Sequence, residues 1–283
     1  KKSMLVYSGA SSPASMTLSD TIEGIGCIAR DSVQHTGADI LFLSDTGVRS
    51  LGRTIQEKSL PLNDLSKNVR TDLTSLVPLQ TNAIKSLYSA DEAFYLLTLP
   101  DSDTTYCFDM RSPLQDGSQR ATTWSGLHPL AFTTTEAGDI YFGLSSGIVK
   151  YSGYLDGTAN YQMRYFSNPM DFGNASNLKF LKKFNITIIG GQNTNSTLNW
   201  GYDYSTNFTK QVFTLTGSVN AGEYGVSEYN TTAEYTATAI INTPKVNTSG
   251  SGEVVTIGIE TEINDTAFSI QKIDIHALLG RLI

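Results

Sequence analysis

The sequence predicts an all-β chain: partial β-propeller blades with one inserted short helix, followed by a β-sandwich domain. Three observations predict this. Apolar or aromatic runs come in pairs across turn residues over 40–51, 93–110 and 139–154. The starts of these pairs lie roughly 45 to 55 residues apart, the repeat length of propeller blades. From about residue 170, Asn and Thr become frequent and apolar–polar alternation sharpens, as in the short strands of a sandwich. The domains are accordingly drawn as 1–168, the propeller portion, and 169–283, the sandwich.

The first pair opens on the strand Ile40-Leu41-Phe42-Leu43, turns at Ser44-Asp45-Thr46-Gly47 and returns over 48–51. After a loop closed by Pro61, Asn63 or Asp64 can cap a helix. Leu62, Leu65, Val69, Leu73 and Leu76 then recur at spacings of three and four, giving that helix one apolar stripe. The second pair, 94–99 and 104–109, turns at Pro100-Asp101-Ser102-Asp103, and 121–126 adds an outer strand carrying Trp124. The third, 139–143 and 148–151, turns at Ser145-Ser146-Gly147. Three blades cannot close a ring, so this reading expects more of them upstream of Lys1. An opening without an initiator Met agrees with a piece of a longer polypeptide. In the second domain, strands are expected at 184–189, 198–204, 211–215, 234–241, 254–263 and 268–275. The apolar tail 276–283 is expected to pack on a neighbour.

Composition narrows the function. The 283 residues carry 17% charged and 40% hydrophobic side chains, enough for a globular core and too few charges for a disordered chain. A net charge of -7 argues against gripping nucleic acid through its phosphates. An acidic wall would instead let DNA slide past. No run of 18 apolar residues exists to span a membrane. Cys27 and Cys107 are too few for a disulfide framework and read as free thiols. Between Lys245 and Lys272 no basic residue occurs, whereas Glu253, Glu260, Glu262 and Asp265 do. Glu260 and Glu262, two apart, share one strand face and form a candidate acidic lumen wall.

Patterns that carry chemistry elsewhere read here as turns. Asp45-Thr46-Gly47 matches the aspartic-protease signature, but Val48 replaces the usual small residue and no second Asp-Thr-Gly follows. Gly143-Leu144-Ser145-Ser146-Gly147 matches G-x-S-x-G, yet strand rather than helix follows it. His35, His128 and His276 are isolated, and Asp101 with Asp103 offers only a loose calcium site. Neither a catalytic residue nor a metal or cofactor ligand is assigned, and the chain is read as not an enzyme. Seven N-x-[ST] sequons, at Asn174, Asn185, Asn195, Asn207, Asn230, Asn247 and Asn264, are what an Asn- and Thr-rich β domain generates by chance.

Residues 31–33 (DSV), 41–51 (LFLSDTGVRSL) and 66–70 (SKNVR) resemble a recurring segment of short-tailed bacteriophage tail hub or nozzle proteins. This family is also called tail tubular protein B or packaged-DNA stabilisation protein. The resemblance runs diffusely over about 27–157 and again near the C-terminus. It implies a virion tail protein forming a homohexameric ring, joined to the tail adaptor protein and to tail fibres or a tail needle. Such a ring retains packaged double-stranded DNA, without sequence-specific binding, and forms the channel for its ejection. Arg49, Arg53, Lys67 and Arg70 are the candidate subunit-contact residues, since Arg forks suit interface ion pairs. The alternative is a carbohydrate-binding or depolymerising host-recognition protein, whose many Tyr side chains would stack on sugars.

Overall fold

A computed structural model describes residues 3–57, 64–191, 194–216 and 241–282. The chain is all-β with two short helices among those residues, and it divides into two compact units, Lys1–Tyr151 and Ser152–Ile283.

The first unit begins with a two-stranded antiparallel ribbon, β1 (Ser3–Ser8) and β2 (Thr17–Glu23). Three sheets follow in chain order. The first joins β3 (Gln34–His35), β4 (Ile40–Ser44) and β5 (Gly47–Ser50). After helices α1 (Leu51–Glu57) and α2 (Arg70–Leu76) comes a four-stranded meander of β6 (Lys85–Ser89), β7 (Phe94–Leu99), β8 (Thr104–Asp109) and β9 (Arg120–Ser125). The third sheet is β10 (Ala131–Thr134), β11 (Ile140–Leu144) and β12 (Gly147–Lys150).

Burial shows how these sheets stack. Every residue of β7 is buried. Tyr95, Leu97 and Leu99 pack with Leu41, Leu43, Val48 and Leu73 from β4, β5 and α2. Phe94 and Leu96, on the opposite side of the same strand, pack with Ile140 and Phe142 of β11. Alternation on a pleated strand sends neighbouring side chains to opposite faces, so apolar or aromatic residues at five of the six positions, with Thr98 the exception, bury both sides. The meander is therefore sandwiched between its two sequence neighbours, the face-to-face packing of adjacent propeller blades; the three sheets form no closed barrel.

The helix expected from residue 62 onward starts later. Asp64 is not its cap; the buried carboxylate pairs with Arg70, and regular α-helix begins at Arg70. Leu65 and Leu73 are buried in the first core, with Val69 and Leu76 packed against it, so the apolar stripe does its expected work. Leu62 and Asn63 lie outside the described residues. Helix α1 was not expected, because Leu51 read as the end of the returning strand. Its first turn is held from a distance: Asp39 Oδ1 accepts the Gly52 N–H at 2.8 Å, satisfying a donor that the helix itself leaves unpaired.

The second unit is a two-sheet sandwich built from β13 (Tyr161–Phe166), β14 (Asn177–Gly190), β15 (Asn195–Tyr202), β16 (Thr209–Thr214), β17 (Ile241–Asn242), β18 (Lys245–Asn247), β19 (Ser251–Gly252), β20 (Val255–Ile263) and β21 (Phe268–Leu282). One sheet runs β13-β20-β15-β16. In the other, β14 is central, flanked by β21 on one side and the short β17, β18 and β19 on the other. Phe184, Ile186 and Ile188 of β14 meet Leu198 and Trp200 of β15 and Ile257 and Ile259 of β20 in the core. Because β13 pairs with β20 along its whole length, the division between units falls ahead of the 168/169 boundary expected from composition. The tail expected to pack on a neighbour continues β21 as far as Leu282, paired to β14. The strand expected at 234–241 lies outside the described residues except for Ile241, which belongs to β17.

Candidate interaction surfaces

The four basic residues singled out from sequence are all engaged inside the first unit. Arg49 is buried, 4% exposed, and its Nη2 donates to Thr46 Oγ1 at 2.7 Å. Arg70 binds the buried Asp64. Lys67 Nζ meets Asp116 Oδ2 at 2.7 Å, and Arg53 Nη1 donates to the Gly117 carbonyl at 2.8 Å. With the Gln119 N–H on the Leu65 carbonyl at 2.9 Å, these contacts fasten the 111–119 loop between β8 and β9 onto the α2 region. Lys67, then Ser118, hold the Asp116 carboxyl below its ordinary range. Gly117 sits at φ 79, the left-handed region that favours glycine. Lys67 and Arg53 thus serve as an internal latch, a role their local sequence does not reveal because their partners, Asp116 and Gly117, are distant in the chain.

Glu260 and Glu262 do share the outer face of β20, as their spacing requires, but that face is balanced rather than acidic. Glu260 lies 3.9 Å from both Arg164 of β13 and Lys210 of β16, one cation from each side. Glu262 accepts from Asn160 Nδ2 at 3.0 Å. Beside them, Phe166 lies over Gly258 and Phe208 over Gly201, with ring centroids 5.2 Å apart. Asn199, opposite Gly258 on the next strand, is 0% exposed, and both its amide atoms lack a hydrogen-bond partner.

The catalytic-looking patterns resolve into turns. Asp45 and Thr46 are the two loop residues of the β4–β5 hairpin, Asp45 is exposed, and Ser44 Oγ donates to the Gly47 carbonyl at 2.8 Å. A Cβ on Gly47 would lie 2.4 Å from Ser66 Oγ, which accepts the Val48 N–H at 2.9 Å. Ser145 is exposed between β11 and β12, with strand on both sides. Asp101 and Asp103 go to different partners. Asp101 accepts from Asn82 and Thr81, which hold it at about 2, and Asp103 pairs with His128 at 2.5 Å. Among the described residues no group of three or more His, Cys, Asp or Glu stands ready to hold a metal ion. Both cysteines are free, and burial pushes the Cys107 thiol up to about 11. Sequon residues Asn174, Asn195, Asn207, Asn247 and Asn264 are exposed, Asn185 is half-buried beside His276, and Asn230 lies outside the described residues.

Sequence reasoning missed one concavity. The side chains Tyr161, Met163 and Tyr165 alternate along the inward face of β13, yet none belongs to the sandwich core. Together with Tyr154, Phe268, Ile270 and their neighbours they line a groove of about 430 Å³ between the edge strands β13 and β21. Tyr154, Tyr161 and Tyr165 are 47%, 42% and 51% exposed. Burial, and then proximity to Tyr154, push the Tyr161 phenol above its ordinary value. The Tyr-Gln-Met-Arg-Tyr alternation was visible in sequence; the gap it borders was not, since β21 follows about a hundred residues later.

No helix among the described residues is long and apolar enough to cross a membrane. Compared with known proteins, the chain matches no family model. No curated protein sequence matches it either.

Proposed function

We propose that the chain is a structural component of a short phage tail, a hub or nozzle subunit that assembles as a ring, retains packaged DNA and lines its exit. One observation carries this reading. The three sequence pieces that bear the resemblance fold into one hydrogen-bonded block. Ser32 Oγ accepts the Leu43 N–H at 2.9 Å, Ser66 Oγ accepts the Val48 N–H at 2.9 Å, and Tyr95 donates to the Ser32 carbonyl at 2.8 Å. Pieces separated in sequence that depend on one another structurally are what an extended family resemblance requires. Stacked sheets make stiff walls, and the acidic balance suits a channel that DNA slides through. The internal use of Arg49, Arg53, Lys67 and Arg70 moves the expected contacts between copies to other surfaces. The exposed Leu5, Tyr7 and Leu18 of the β1–β2 ribbon and Ile148 on β12 are the apolar choices.

The test is electron microscopy with light scattering on the purified chain, alone and after mixing with DNA-filled, tail-less particles. A ring with a central opening that seals those particles is the expected result. A chain that stays monomeric at every concentration, leaves particles leaking and degrades host polysaccharide would overturn the reading in favour of a depolymerase.

A further inference from the structure

We infer that the groove between β13 and β21 is a binding site for a neutral oligosaccharide. The lining carries no charged side chain: Tyr154, Tyr161, Met163, Tyr165, Ile263, Thr266, Phe268, Ser269 and Ile270 supply rings, aliphatic surface and hydroxyls only. On a chain of 47 charged residues (20 Lys and Arg plus 27 Asp and Glu), an uncharged cleft selects an uncharged ligand. Its volume, about 430 Å³, falls within the few hundred Å³ of small-molecule sites and accepts two to three sugar rings. Three half-exposed tyrosines are the telling feature. A sugar ring has C–H faces that lie against an aromatic face and hydroxyls around its edge. Tyrosine answers both, with an apolar body and a polar tip. A groove built to bury an apolar protein segment would expose leucine or phenylalanine, whereas here the most exposed rings carry phenols that stay hydrated when the groove is empty. Thr266 and Ser269 add further hydroxyls, the latter already accepting from Gln271 Nε2 at 2.8 Å.

The geometry also explains why the groove stays open. Tyr161 lies opposite the buried Ile263 and Tyr165 opposite the buried Ile259, so β13 is correctly registered and inward-facing. Among the described residues β21 pairs only with β14, and its Phe268, Ser269 and Ile270 form the far wall of the groove from Tyr161, Met163 and Tyr165. Rigid strands on both sides preorganise the site.

This inference does not rest on the ring. A chain that fails to assemble can still bind sugar, and a ring can form with the groove blocked, so the two experiments fail separately. The experiment is saturation-transfer NMR and calorimetry on the full chain with neutral trisaccharides of glucose, galactose, mannose and N-acetylglucosamine, plus a sialylated and a sulfated trisaccharide. Binding of at least one neutral probe is expected, with a Kd between about 0.1 and 1 mM. Tyr161→Ala and Tyr165→Ala should each weaken it roughly tenfold, Tyr165→Phe should retain most of it, and Tyr7→Ala should not change it. Circular dichroism of each variant should match the parent, because the replaced side chains are half exposed. The inference is overturned if no neutral probe binds at about 10 mM. It also falls if a charged probe binds better, or if Tyr165→Phe loses as much as Tyr165→Ala.

Discussion

The ammonium of Lys179, fully buried in the second unit, donates to the main-chain carbonyl of Glu253 at 2.6 Å and to that of Asn174. Among the described residues no carboxylate pairs with it; two peptide dipoles solvate the charge and tie the loop before β14 to the loop before β20. Replacing Lys179 by Met keeps the aliphatic stem but removes the ammonium from both carbonyls, leaving that of Asn174 with the Asn177 N–H at 3.3 Å. The expected loss is about 2–3 kcal/mol, read as a lower midpoint in urea denaturation followed by circular dichroism.

Asn199 points the other way. A fully buried amide with neither atom paired is a cost the fold carries. Asn199→Val, which suits a strand and removes the unmet polar atoms, should raise stability by about 1 kcal/mol. A melting temperature unchanged or lowered would mean that the amide is satisfied in solution.

Gly190 closes β14 at φ 85, and a Cβ there would stand 1.8 Å from the Ala267 carbonyl oxygen. That oxygen is backbone and already accepts the Gly191 N–H at 3.0 Å, so it has no room to move. Gly190→Ala combines left-handed strain with a backbone clash and should cost about 3 kcal/mol or more, visible as loss of soluble, cooperatively melting protein.

The Lys67–Asp116 latch gives a pH dependence of defined sign. Its folded carboxyl titrates below the ordinary value of 3.8, chiefly because of the hydrogen bond from Lys67. The carboxylate is therefore favoured by folding. Its contribution is complete above pH 3.8 and is lost as pH falls through the lower folded value. An NMR titration of Asp116 should show the depressed midpoint, and Lys67→Met should move that midpoint up towards 3.8. Protection of the Ser118 N–H, which donates to Asp116 Oδ1 at 3.1 Å, should fall over the same acid range.

Hairpins whose two strands and turn are contiguous were legible in the sequence. Leu41 pairing Ser50, Leu96 pairing Cys107 and Phe142 pairing Val149 all follow from local alternation and turn residues. Features fixed by distant partners were not. The first turn of helix α1 is held by Asp39, thirteen residues away, and Asp64 pairs with Arg70 instead of capping α2. Glu260 and Glu262 share one strand face, as their spacing requires, yet Arg164 and Lys210 arrive from other strands to balance Glu260. Likewise, the period of β13 announced an inward face without announcing the open groove it forms with β21.

The chain has two tryptophans, and each compact unit owns one. Trp124 stacks on Tyr151 at an interplanar angle of 8°, where the meander meets the third sheet of the first unit. Trp200 is 3% exposed in the sandwich, its indole N–H on the Ser249 carbonyl at 3.0 Å. Intrinsic fluorescence of Trp124→Phe and Trp200→Phe variants consequently gives each half of the molecule a separate spectroscopic voice. Whether the two halves melt together or in sequence becomes a question that two emission curves answer.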